Sequence, residues 1–210
     1  MDALQVINDA VKVLREGGVI LYPTDTVWGI GCDATDEKAV ARVFEIKKRP
    51  EAKSLVLLAS DLDMVARYVK AVPSIAVDLV EVNDAPRTII YPEAQYIAPN
   101  AVAADGSVGI RIPCVPEEDE EENGRRKAPQ TDFTAGSFCR ELVRRLRKPL
   151  VSTSANISGE PAPVGFDDIA EEIRSAVDFV VPRRFGQGAC GRASQIIKVG
   201  LGGEVEIIRA

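Results

Sequence analysis

Five short stretches of this 210-residue chain gather side chains of the kinds that hold anions and small polar ligands. In YPTDTVWGIG at 22–31, the hydroxyls of Thr24 and Thr26 follow an apolar run. They either hold a polar ligand or bond their own backbone in a tight turn. In KKRPEAK at 47–53, four cations (Lys47, Lys48, Arg49 and Lys53) sit where a helix is expected to end. They either complement the helix dipole as a solvated face or clamp a polyphosphate. In SVGIRIP at 107–113, strand alternation puts Ser107, Gly109 and Arg111 on one face. An arginine in such apolar surroundings is costly unless it meets an internal acid or an anionic ligand. In PLVSTSANISG at 149–159, four hydroxyls and Asn156 follow an apolar strand, a common place for ligands in α/β sheets. In GQGACGRAS at 186–194, three glycines and Arg192 make an exposed turn or a close approach to phosphate.

Other chemistry is excluded by composition. There is no histidine, so no Ser-His-Asp or Cys-His relay and no HExxH zinc site exists. The four cysteines, Cys32, Cys114, Cys139 and Cys190, form no C-x-x-C pair, and reduced thiols in a cytosolic protein are expected. Neither G-x-x-x-x-G-K-[ST] nor G-x-G-x-x-G occurs. Catalysis must therefore rest on hydroxyls, Lys and Arg, carboxylates, backbone amides or a metal carried by a substrate. The formal charge of −6 does not favour nucleic acid in bulk. No stretch approaches the roughly 18 apolar residues of a membrane span. The start, MDALQVINDAVKVLREGG, reads as neither signal nor transit peptide.

The elements that must position these residues follow from periodicity. Val6, Ile7, Ala10, Val11 and Leu14 predict a helix stopped by Gly17-Gly18. Helices are also expected near 36–47, from a Ser60/Asp63 capping box through Val69, from Pro73 to about Val82, before Pro149, and at 167–176. Strands are expected at 19–22, 54–59, 87–91, 107–112, 150–152, 179–181, 195–199 and 205–208. Consecutive strands near the end predict an α/β fold with a mixed sheet. Six consecutive acidic residues at 117–122, then Arg125-Arg126-Lys127, predict a mobile surface loop at about 116–130, or else a lid over an anion.

Taken in order, YPTDTVWGIG at 22–31, IKKRPEAKSL at 46–55, SVGIRIP at 107–113, STSANISGEPAP at 152–163 and ASQII at 193–197 resemble the YrdC-like threonylcarbamoyl-adenylate synthase family. The resemblance covers almost the whole chain. Its most specific part is the conjunction of Lys-x-Arg (Lys47, Arg49) with Ser-x-Asn (Ser154, Asn156). It implies a twisted mixed sheet with flanking helices around a concave basic cavity, in one catalytic domain over 1–210. It also implies a reaction in which L-threonine, bicarbonate and ATP give threonylcarbamoyl-AMP and pyrophosphate. A separate transferase complex would then modify position 37 of tRNA in the cytoplasm.

Residue by residue, the similarity places Thr26, Arg111, Ser152 and Ser194 on threonine. It places Arg49, Lys53, Ser107, Ser154 and Arg209 on ATP, and gives Lys47, Arg49, Ser154 and Asn156 the catalytic element. Mg²⁺ is expected with the triphosphate, and no metal held by the protein itself. Trp28 stands where tyrosine is common and is expected to offer an aromatic wall. Leu58 stands where longer members carry a threonine-contacting histidine. The competing readings are a weakly RNA-binding module without catalysis and a paralogue of the same fold with another substrate.

Overall fold

The first helix, α1 (Ala3–Arg15), buries Val6, Ile7, Ala10, Val11 and Leu14, the stripe its spacing predicts. Gly17 ends it at φ +81°, a conformation that favours glycine. The Gly17 and Gly18 amides then donate to the carbonyls of Leu14 and Val13, which caps the last turn. The computed structural model in which this is seen describes residues 2–49, 55–82, 85–115 and 133–210. Lys53 and the expected loop at 116–130 lie outside the described residues.

The other helices are α2 (Glu37–Ile46), α3 (Leu62–Tyr68), α4 (Ser74–Glu81), α5 (Ala135–Leu146) and α6 (Glu171–Ala176). Asp36 caps α2 by accepting from the amides of Lys38 and Ala39. Ser60 does not cap α3; Asp61 accepts the Met64 amide at 2.7 Å, and Ser60 donates to Asp61. The expected helix at 167–176 divides into a 3-10 turn, Phe166–Asp168, and α6.

The strands are β1 (Ile20–Tyr22), β2 (Gly29–Gly31), β3 (Val56–Leu58), β4 (Arg87–Tyr91), β5 (Val108–Arg111), β6 (Leu150–Ser154), β7 (Phe179–Val180), β8 (Gln195–Val199) and β9 (Val205–Arg209). Among the described residues they form one nine-stranded sheet in the order β7-β1-β2-β6-β3-β5-β4-β8-β9. The pairs β1/β7, β3/β5 and β4/β8 are parallel and the remainder antiparallel, so the sheet is mixed as expected. Two differences from the sequence expectation matter for function. β2 is a strand of two glycines and Ile30, whose composition hides it. β6 runs two residues further, so Thr153 and Ser154 belong to the sheet and not to a loop. α1 packs on α5 and β1, and α2 packs on β2. Among the described residues the buried apolar side chains form one cluster from Ala3 to Val199.

Candidate active site

Register across the sheet builds the floor of the site. Val56 on β3 is paired with Ser152 on β6 and with Gly109 on β5, and Gly109 is paired with Ile90 on β4. One row further along, Arg111 pairs with Thr88, Thr88 with Ile196, and Ile196 with Arg209. Paired residues share a face, and so do residues two apart on a strand. A cavity of about 320 Å³ lies over these rows. Thr26, Ser152, Ser194 and Arg111, expected on threonine, line it. Arg49, Ser107, Ser154 and Arg209, expected on ATP, line it as well. Lys47 and Asn156 do not.

At one end Arg111 is 4% exposed and forms an ion pair with the equally buried Asp25. The second oxygen of Asp25 accepts the Cys114 amide at 3.0 Å. Both oxygens of Asp25 are thus engaged, while Nε of Arg111 has no hydrogen-bond partner among the described residues. A buried guanidinium with an unused donor beside a cavity is suited to a second carboxylate. Thr26 sits next to Asp25. Its Oγ1 lies 2.8 Å from Oγ1 of Thr24, whose own proton goes to the Val27 carbonyl at 2.8 Å. A hydroxyl has one proton, so Thr26 donates to Thr24 and keeps lone pairs for a ligand. The 186–194 loop is fastened here, because the Cys190 and Gly191 amides donate to the carbonyls of Asp25 and Thr26. Ser194 follows, its hydroxyl 2.7 Å from Thr88 Oγ1, with Arg209 Nη2 donating to its carbonyl at 2.6 Å.

At the other end, Lys47 caps α2 and is 2% exposed. Its ammonium donates to the carbonyls of Ser154 and Asn156 and, at 3.4 Å, to Asn156 Oδ1. The Lys47 carbonyl accepts the Ser158 amide at 2.8 Å. Loss of water around the ammonium, with Arg49 adding repulsion, pushes its pKa down to about 8. Asn156 spends its amide on the carbonyls of Ile157 and Glu160. The two paired motifs therefore meet in space, but Lys47 and Asn156 lock the backbone while Arg49 and Ser154 face the cavity. Burial lowers the Arg49 pKa from its ordinary value.

The family model Sua5_yciO_yrdC, described as Telomere recombination, matches residues 12–117 and 133–210. The chain belongs to the Sua5/YciO/YrdC family. The Threonylcarbamoyl-AMP synthase of Hahella chejuensis is 32% identical over 178 residues, 84% of this chain and 85% of that protein. The Threonylcarbamoyl-AMP synthase of Coxiella burnetii (strain RSA 493) is 35% identical over 162 residues, 76% of this chain and 75% of that protein. Among solved structures, P. abyssi Sua5 complexed with L-threonine aligns at a TM-score of 0.75 and 25% identity, covering 95% of this chain. This chain spans only 52% of that Sua5 chain. E. coli YciO, at 23% identity and a TM-score of 0.73, covers 98% of this chain and 88% of its own, and shares the fold.

Within this Sua5/YciO/YrdC fold, one expectation is corrected. Trp28 is no cavity wall: it packs edge-on to Phe166 at 4.9 Å and closes over Gly186, whose hydrogen a Cβ could not replace without meeting the indole at 2.8–3.0 Å. Leu58, which stands where longer members carry a threonine-contacting histidine, lies in the core, fully buried and paired with Leu150 and Arg111, and does not line this cavity. Sequence reasoning also missed three supporting residues: Asp25 under Arg111, Thr88 under Ser194, and Asp105, which accepts from Ser107 at 2.5 Å. Asp25 had a signal, since a buried arginine asks for an acid and an aspartate lies inside YPTDT. Thr88 and Asp105 had none.

Proposed function

We propose that this chain is an L-threonylcarbamoyladenylate synthase, acting as a single catalytic domain on L-threonine, bicarbonate and ATP. The observation that carries the reading is one cavity with complementary ends. The Asp25-held Arg111 offers donors to a carboxylate beside the lone pairs of Thr26, which suit an amine. That is a site for a zwitterion. Arg49 faces the same cavity on the side of Ser154 and supplies charge for phosphate. Relatives at 32% and 35% identity carry the matching name.

In the proposed reaction the threonine amine attacks bicarbonate or its carbonic equivalent. A nitrogen–carbon bond forms and water leaves, giving N-carboxythreonine. An oxygen of that carboxylate attacks the α-phosphorus of ATP, and pyrophosphate leaves. Arg111, Thr26, Ser152 and Ser194 orient the amino acid. Arg49, Ser154, Ser107, Arg209 and, by similarity, Lys53 hold the nucleotide. The protein contributes orientation and charge stabilisation and needs no imidazole. Lys47 and Asn156 act as positioning residues that hold the Ser154 backbone. Mg²⁺ enters with the triphosphate as part of that substrate. The product passes to a tRNA threonylcarbamoyl-transferase complex in the cytoplasm.

The test is pyrophosphate release from Mg-ATP with threonine and bicarbonate omitted in turn. Release that needs both is expected. Release indifferent to threonine would point to a paralogue with another acceptor. ATP binding without release, together with salt-dependent RNA affinity, would replace the reading with a binding module.

A further inference from the structure

The Ser107 hydroxyl has one proton, and the structure shows where it goes. Oδ1 of Asp105 accepts both the Ser107 hydroxyl at 2.5 Å and the Ser107 amide at 3.0 Å. Oδ2 of Asp105 accepts Lys198 Nζ at 2.9 Å. These bonds, the Ser107 hydroxyl first, hold the Asp105 carboxyl well below the usual carboxylate range, so it is ionised at any working pH. An ionised carboxylate only accepts, which commits the Ser107 proton to it. Ser107 is 7% exposed and lines the cavity on the same strand face as Gly109 and Arg111. All it can offer a ligand is lone pairs. Phosphate oxygens at neutral pH are acceptors as well and gain nothing there.

We propose that Asp105, anchored by Lys198, is a positioning residue that makes Ser107 an obligate hydrogen-bond acceptor, so that the nucleotide presents a nucleoside donor to it and not a phosphate. That donor is an exocyclic amine or a ribose hydroxyl. The inference rests on the reading of this end of the cavity as the nucleotide end. It turns a surface ion pair outside the cavity into a determinant of which nucleotide is used.

The experiment compares ATP with inosine triphosphate, 2′-deoxyATP and 3′-deoxyATP, using kcat and KM for pyrophosphate release together with calorimetric nucleotide binding. The wild-type chain should use one of the three analogues about 10- to 100-fold less well than ATP, because the Ser107 acceptor then has no partner. Which analogue fails identifies the donor, and the loss should fall on KM. Asp105→Ala frees the hydroxyl to turn and donate, and should shrink that ratio at least about fivefold. Asp105→Asn retains an acceptor oxygen and should preserve the ratio. Ser107→Ala removes the acceptor outright and should flatten the ratio even if Asp105→Ala does not fold. Equal use of all three analogues by the wild-type chain overturns the proposal, as does a full wild-type ratio in Asp105→Ala or Ser107→Ala. If no pyrophosphate is released from ATP with threonine and bicarbonate, the synthase reading fails instead, and the binding ratios alone decide on Asp105.

Discussion

Asp25 and Arg111 are a buried ion pair in which each partner compensates the other, at 5% and 4% exposure. Removing one partner leaves a desolvated charge. Asp25→Ala should lower the unfolding free energy by roughly 3–5 kcal/mol, read from urea denaturation. An unchanged midpoint would mean that Arg111 finds another partner. Arg49 makes a different prediction because it faces the cavity. Arg49→Ala should leave the thermal midpoint in place and cost about 2–4 kcal/mol of transition-state stabilisation, a fall of about 30- to 1,000-fold in pyrophosphate release. Near-normal turnover would remove Arg49 from the site. Lys47 predicts a pH effect whose sign differs for stability and activity. Its folded pKa of about 8 lies below the ordinary 10.5. Between those values the unfolded chain binds more protons, so this group makes the fold more stable as pH rises through that window. The ammonium, however, serves three acceptors of Ser154 and Asn156, and a neutral amine has only two N–H donors. Activity should therefore fall above about pH 8 while the melting temperature does not. Lys47→Met should be slower and lack that alkaline limb; a limb unchanged in the variant would assign it to another group.

At the scale of elements, the site depends on β2 lying flat between β1 and β6. Gly31 makes this possible, since a Cβ there would stand 1.9 Å from the Val151 carbonyl oxygen and 3.0 Å from the Tyr22 ring. That carbonyl also accepts the Tyr22 hydroxyl at 3.1 Å. Gly31→Ala must push β2 off β6, and β6 carries Ser152 and Ser154. The expected cost is about 1–3 kcal/mol, a fall of roughly 2–12 °C in Tm for a chain of this size, with a higher KM for ATP. A Tm within a degree of wild type would show that the strands separate without strain. The same pair of strands shows what a sequence conceals. Helices α1, α2 and α5 are legible because an apolar stripe at helical spacing is a local property. β2 is not, because its two glycines have no side chains to alternate, and only the backbones on either side make it a strand. β6 was legible at its apolar start, but Thr153 and Ser154 read as loop residues until their partners on β2 are known.

For the whole molecule, the cavity predicts linked binding. Ligands that bind only the folded state stabilise it by RT ln(1 + [L]/Kd), about 2.7 kcal/mol at 100 times Kd. That should raise Tm by roughly 5–11 °C. Threonine and Mg-ATP should each raise it alone, and Arg111→Ala should abolish the threonine shift while keeping that of ATP. Loss of both shifts would mean that Arg111 supports the entire cavity.

The amino-acid sequence by itself determined the helices, most strands, the mixed sheet and the face on which Ser107, Gly109 and Arg111 stand. Each of these follows from local periodicity, and the family follows from motifs read in order. Only the tertiary structure decided who partners whom. Asp25 reaches Arg111 across 86 positions, and Lys47 reaches the Ser154 carbonyl across 107. Strand register, not spacing along the chain, creates such pairs. For that reason Lys47, whose neighbours in sequence leave a solvated helix end or a phosphate clamp open, is a buried strut, and Asp105, which carries no signal in the sequence, holds a hydroxyl at the cavity wall.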